Sequence, residues 1–132
     1  NDANHTIITG KTSELLGASS ALLLNALKHL AGIADDVRMI SPTVLEPVCK
    51  LKTGALGHRN PRLHTDEVLV ALSICAITDE NAQKALDKLP ELKNCEVHTS
   101  VILSQTDERV FRRLGVNLTQ EAKYQTSKLY HQ

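Results

Sequence analysis

Aromatic side chains are almost missing from this chain, which has no Trp, one Phe and two Tyr. Single strands of nucleic acid are held by stacking bases on aromatic platforms, so the composition argues against that mode of binding. An excess of charge of either sign is missing too. The 15 basic and 15 acidic residues cancel, leaving no overall field to draw the protein to nucleic acid or an anionic membrane, and any basic site must be local. Cysteine is scarce and unpatterned: Cys49, Cys75 and Cys95 show no C-x-x-C spacing, which encodes neither a disulfide framework nor a zinc site and suits a reducing cytosol. No H-E-x-x-H or comparable metal-ligand spacing occurs. Long apolar runs are lacking as well. The best, "VLVALSICAI" at Val68–Ile77, is about half the roughly 20 residues of a membrane helix, and "ALLLNALKHLAGIA" is broken by Asn25, Lys28 and His29.

What is present is an ordinary globular composition, 42% hydrophobic and 23% charged over 132 residues, which fits a single domain able to bury a core without staples. The chain opens on Asn1-Asp2-Ala3-Asn4, turn chemistry without an initiator Met, and is expected to be a fragment of something longer. The N-x-T triplets at Asn4 and Asn117 are expected to be chance matches.

Apolar periodicity and stop signals predict the elements. Thr6–Thr9 is short and β-branched, as a strand should be, and Gly10 ends it. Thr12 or Ser13 is then expected to cap a mostly buried helix carrying Leu16, Leu23, Leu27 and Leu30 until Gly32. Its small patch Gly17–Ala21 would let another backbone come close, with Gly17 costing about 1 kcal/mol relative to Ala. Val37–Ile40 reads as a second strand after the Asp35-Asp36 turn. Ser41 caps the next helix with Pro42 at its first position, and Pro47 predicts that this helix is short or kinked. Lys50–His64, "KLKTGALGHRNPRLH", is the one irregular, locally positive segment and is expected to form the main loop. A central helix, apolar nearly all round, follows from Thr65 to Ile77, and a more exposed one starts at Asp79 and carries Ala82, Ala85, Leu86 and Leu89 up to Pro90. Cys95–Leu103 is the third strand, Ser104–Asp107 resembles a capping box for a helix stopped by Gly115, Val116–Thr119 is a last short strand, and residues 120–132 form a polar tail. The alternation predicts an α/β fold: three α/β/α layers, Rossmann-like, with a mainly parallel sheet of about four strands joined by helical crossovers.

In such folds ligands sit beyond the carboxyl ends of the strands, at helix N-termini that favour anions. Here those ends are Gly10–Ser13, Ser41–Thr43 and Ser104–Asp107, all with Ser or Thr, and N-capping alone accounts for each. Gly10-Lys11-Thr12 matches only the end of G-x-x-x-x-G-K-[ST]; His5 stands where the first glycine is needed, so this is not a Walker A loop. Lys11 could still reach a phosphate or carboxylate resting on the N–H groups of Thr12 and Ser13. A second candidate anion site is "GHRNPRLHTDE", where Arg59, Arg62 and His64 precede a helix start at Thr65; the alternative is a solvated basic loop pairing with Asp66 and Glu67. His98 in the third strand reads as structural and Cys75 as core.

Four blocks, "IITGKTSELLGASSALLLNALKHLAGI", "SPTVLEP", "NPRLHTDEVLVALSICA" and "HTSVILSQTDERVFRRLGVNLT", together resemble the carboxyl-terminal domain of the uncharacterised bacterial proteins grouped as domain of unknown function 1846. The likeness runs from about Thr6 to Tyr130. It implies a cytoplasmic α/β protein of several hundred residues of which this is the last portion, and an upstream domain with its own glycine-rich, P-loop-like segment. It also implies another strand before Asn1, leaving an exposed edge near Thr6–Thr9. The resemblance carries no catalytic residues and names no cofactor. The function expected is a contribution of Gly10, Lys11, Thr12, Ser13, Arg59, Arg62, His64 and Thr65 to a phosphate or anion site shared with the upstream domain. The rival is a non-catalytic interaction or homo-oligomerisation module in which Gly17–Ala21 and the exposed edge pack against the rest of the chain or a second subunit; neither reading involves nucleic acid, a membrane or a metal.

Overall fold

A computed structural model of the chain describes Ile8, residues 16–99 and residues 103–120. The Gly10–Ser13 turn lies outside these residues, as do the Thr6–Thr9 strand apart from Ile8 and the tail beyond Gln120. The chain divides into two compact units, Asn1–Leu89 and Pro90–Gln132. Among the described residues no helix is long and apolar enough to cross a membrane.

The first unit is built on four helices: α1 (Ala18–Ala31), α2 (Pro42–Thr53), α3 (Thr65–Cys75) and α4 (Glu80–Asp87). α1 starts later than expected. Its N-cap is Gly17, in extended conformation, so this glycine lies outside the helix and the propensity cost expected there does not arise. The reason lies far downstream in the sequence, at Leu63. Leu16 pairs with Leu63 as a parallel bridge, and the Leu63 carbonyl accepts the Gly17 N–H at 3.4 Å and the buried Ser20 hydroxyl at 2.7 Å. The close backbone approach predicted for Gly17–Ala21 is therefore made within the unit, by the Leu63 segment. α1 stops at Gly32, whose left-handed φ of 71° turns the chain while Ile33 N–H reaches back to the Lys28 carbonyl.

Ser41 caps α2 as expected, accepting the Thr43 N–H at 3.0 Å, and Pro42 opens the helix. Pro47 does not end it. α2 continues to Thr53, so Lys50–Thr53, expected in a loop, form its last turn, and the irregular segment is confined to Gly54–His64. Val37–Ile40 is likewise not a strand. Met39 and Ile40 are buried, but the chain leaves a turn closed by Val37 N–H on the Ala34 carbonyl and reaches the Ser41 cap directly, with no ladder among the described residues. A short apolar run reports burial, and only a partner makes it a strand.

α3 buries Val68, Ala71, Leu72 and Cys75, yet it is not surrounded as its all-round apolarity suggested: Val70 and Ile74 are 61% and 50% exposed. Asp79 caps α4 through the Asn81 and Ala82 N–H groups, and the fully buried Ala82 and Ala85 let this helix pack closely on α1 and α3. α4 ends at Asp87, and Leu89 falls in a 3-10 turn, Leu89–Leu92, rather than in the helix. The core of this unit centres on Leu23, Leu27, Leu63, Val68 and Leu72, none more than 1% exposed.

The second unit is a strand–helix–strand element: β1 (Glu96–Thr99), α5 (Gln105–Arg113) and β2 (Asn117–Gln120). The strands pair in parallel, Glu96 opposite Asn117 through Thr99 opposite Gln120, the arrangement a helical crossover permits. Ser104 caps α5 through the Asp107 N–H, Gly115 turns the chain at φ 86°, and Phe111 is buried. The protein thus mixes helix and parallel sheet, with two strands among the described residues where about four were expected.

Candidate functional site

The α3 N-terminus is where the sequence clusters basic groups, and the structure shows what they meet. Arg59 is exposed, Arg62 and His64 are half-buried, and Thr65 is fully buried, with no surface to offer a ligand. The first turn of α3 supplies its own anions. Asp66 Oδ1 accepts the Glu67 N–H at 2.8 Å, and Glu67 Oε1 accepts the His64 N–H at 2.8 Å, the positions a bound phosphate would otherwise take. Asn60 Oδ1 accepts the Arg62 N–H, tying the loop to itself.

At the centre of this region lies Lys52, a residue of the last turn of α2. Lys52 is 2% exposed; its Nζ donates to the Arg62 carbonyl at 2.6 Å and to Glu67 Oε1 at 2.9 Å. One buried ammonium therefore ties α2, the connecting loop and the start of α3 together. Burial alone would raise the Glu67 carboxyl, but the His64 N–H and the Lys52 ammonium outweigh it and hold the group below the usual carboxylate range. Burial pushes the Cys49 thiol up, opposed by nearby Lys52, so Cys49 stays a protonated core residue and not a nucleophile. A signal for Lys52 existed: Leu45, Cys49 and Lys52 recur at four and three residues, one helical face, provided α2 runs through Pro47.

A concave site lies elsewhere in the first unit, beside α1 and the start of α2. It is a cavity of about 450 Å³, within the range of small-molecule pockets. Leu16, Leu24, Met39, Ile40 and Leu45 give it apolar walls, and its described polar lining is Asn25, Lys28 and Arg38, two cations and no carboxylate. Lys28 is steadied by donating to the Asp35 carbonyl at 3.0 Å. The α2 N-terminus at its margin offers little to an anion, because Pro42 has no N–H and Ser41 Oγ already takes that of Thr43. Positive charge here comes from side chains. Arg59, Arg62, His64 and Thr65 do not line the cavity, and Gly10, Lys11, Thr12 and Ser13 lie outside the described residues. Sequence reasoning missed Lys28 and Arg38 because each looks like a routine charge at a helix end or turn.

In the second unit, His98 sits on the exposed face of β1 beside Glu96, and Arg112 pairs with Glu108 one turn away on α5. Neither has the surroundings of a reactive group.

The family model described as "Domain of unknown function DUF1846, C-terminal" matches residues 2–130. Similar proteins include a UPF0371 protein of Corynebacterium diphtheriae, 61% identical over 95% of this chain and 25% of that protein. Another, from Corynebacterium urealyticum, is 58% identical over 97% of this chain and 26% of its own length. A third, from Clostridioides difficile, is 49% identical over 96% and 25%. The chain spans about a quarter of the length of the curated relatives it matches.

Proposed function

This chain belongs to the DUF1846 family as its carboxyl-terminal domain, and on that premise we propose that it forms one wall of a ligand site completed by the upstream part of a longer multidomain protein. The ligand class is a molecule with an apolar body and an anionic group, such as a nucleotide or sugar phosphate. One observation carries this reading: the 450 Å³ cavity combines apolar walls with Lys28 and Arg38 and has no carboxylate in its described lining. Lys11, Thr12 and Ser13 join the proposal on sequence grounds, since they precede the cavity residue Leu16 by three to five positions. Arg59 and Arg62 would act only at its periphery. The reading assigns no reaction. It includes a cytoplasmic protein whose complete sheet is the larger, three-layer Rossmann-like arrangement expected from the strand–helix alternation.

Titration calorimetry of the full-length protein with nucleotides and sugar phosphates tests it, comparing wild type with Arg38→Ala and Lys11→Ala. Loss of a charged contact should weaken binding about tenfold, the equivalent of a charge-assisted hydrogen bond. Equal affinity in all three proteins, or no binding by any, would refute it.

A further inference from the structure

α3 presents a stripe of β-branched apolar side chains to solvent. Val70, Ile74 and Ile77 are 61%, 50% and 80% exposed, with Ile77 in the turn just beyond the helix. Their spacing of four and three residues puts them on one face, opposite the face that buries Val68, Ala71, Leu72 and Cys75. The one hydroxyl on its flank is already satisfied, because Ser73 Oγ donates to the Val70 carbonyl at 2.6 Å. Val and Ile are poorer helix formers than Ala, Lys or Glu, so at solvent-facing positions they bring neither propensity nor hydration. Their placement gains value only when the face is covered.

We propose that this α3 face docks on the portion of the same polypeptide that precedes the domain. The family model is carboxyl-terminal, and relatives are about four times the length matched here, so most of the protein lies ahead of this domain. Three side chains present at most a few hundred Å². That falls well short of the roughly 800 Å² per partner of a stable interface between separate chains. A covalently attached partner acts at an effective concentration near the millimolar range, where a small patch suffices. The face shares no residue with the cavity, so the two proposals stand or fall separately.

The test introduces Ile74→Cys and Ile77→Cys singly into the full-length protein. The rate of maleimide labelling at each position is followed by peptide mass spectrometry and compared with the same thiol in the denatured chain. Lys84→Cys, exposed on α4, is the reference. Docking on the upstream portion predicts at least about tenfold protection at positions 74 and 77, unchanged over a hundredfold dilution, with no protection at 84. Labelling as fast as at position 84 would overturn the proposal, and so would protection that vanishes on dilution, which would make a second copy the occupant.

Discussion

Replacing Lys52 with Met keeps an unbranched stem of the same length, with sulfur in place of Cδ, and removes the ammonium. The Arg62 carbonyl then loses its 2.6 Å donor, and the Glu67 carboxylate keeps only the His64 N–H among its described partners. Removing one member of a buried pair costs about 3–5 kcal/mol. Glu67 is 29% exposed and recovers part of that from water, so about 2–3 kcal/mol is expected for Lys52→Met. Glu67→Gln strands the more deeply buried partner and should cost about 3–4 kcal/mol. The double variant, with no charge left to solvate, should cost less than the two singles together, with a coupling of about 2 kcal/mol. Urea unfolding of the four proteins at pH 7, followed by far-UV circular dichroism, measures this. A pH series adds the sign. The folded Glu67 carboxyl titrates below its unfolded value of about 4.3. Its contribution is therefore complete above that pH and is lost as pH falls through the folded value, so wild type and Glu67→Gln should converge in acid. Single variants within about 0.5 kcal/mol of wild type, or costs that simply add, would show that Lys52 and Glu67 are not coupled as described.

Two further outcomes follow from local geometry. A Cβ at Gly54 would lie 2.9 Å from the Lys50 carbonyl oxygen, backbone against backbone with no flexible side chain to yield, so Gly54→Ala should destabilise by about 1–3 kcal/mol in the same urea assay. Cys49 combines burial with a raised thiol pKa, so iodoacetamide at pH 8 should modify Cys95, which is partly exposed, well before Cys49; equal rates would contradict the burial of Lys52's neighbourhood.

Helix ends were the most legible feature of the sequence, because capping is decided within a few residues. Gly32, the Ser41-Pro42 pair, Asp79, Ser104 and Gly115 all act as their chemistry predicts. The misreadings share a different cause. The start of α1 depends on Leu63, far away in sequence, and the fate of Lys50–Thr53 on whether α2 tolerates Pro47. Val37–Ile40 looked like a strand because apolar side chains there are buried, and burial does not specify a ladder. The candidate site was legible only in outline. Ser41–Thr43, expected at the end of a strand, instead opens α2 after a segment that is not a strand. The cations that line the neighbouring cavity, however, come from Lys28 on α1 and Arg38 in the linker, and no spacing rule connects them.

Two strands are too few for independent stability in water, where three or more with an apolar face, or packing against a helix, are needed. β1 and β2 alternate exposed with half-buried residues, and neither strand contributes a fully buried side chain, so the pair depends on α5, whose Phe111 is 1% exposed, to make the strand–helix–strand element hold. Parallel strands also pair slightly less favourably than antiparallel ones and are usually covered on both faces. Here one face carries Glu96, His98, Asn117 and Thr119, polar enough to stand in water. With that face in water, the element's apolar burial rests on the opposite side, where Val97 and Leu118 are half-buried, and on the buried Phe111 and Val116.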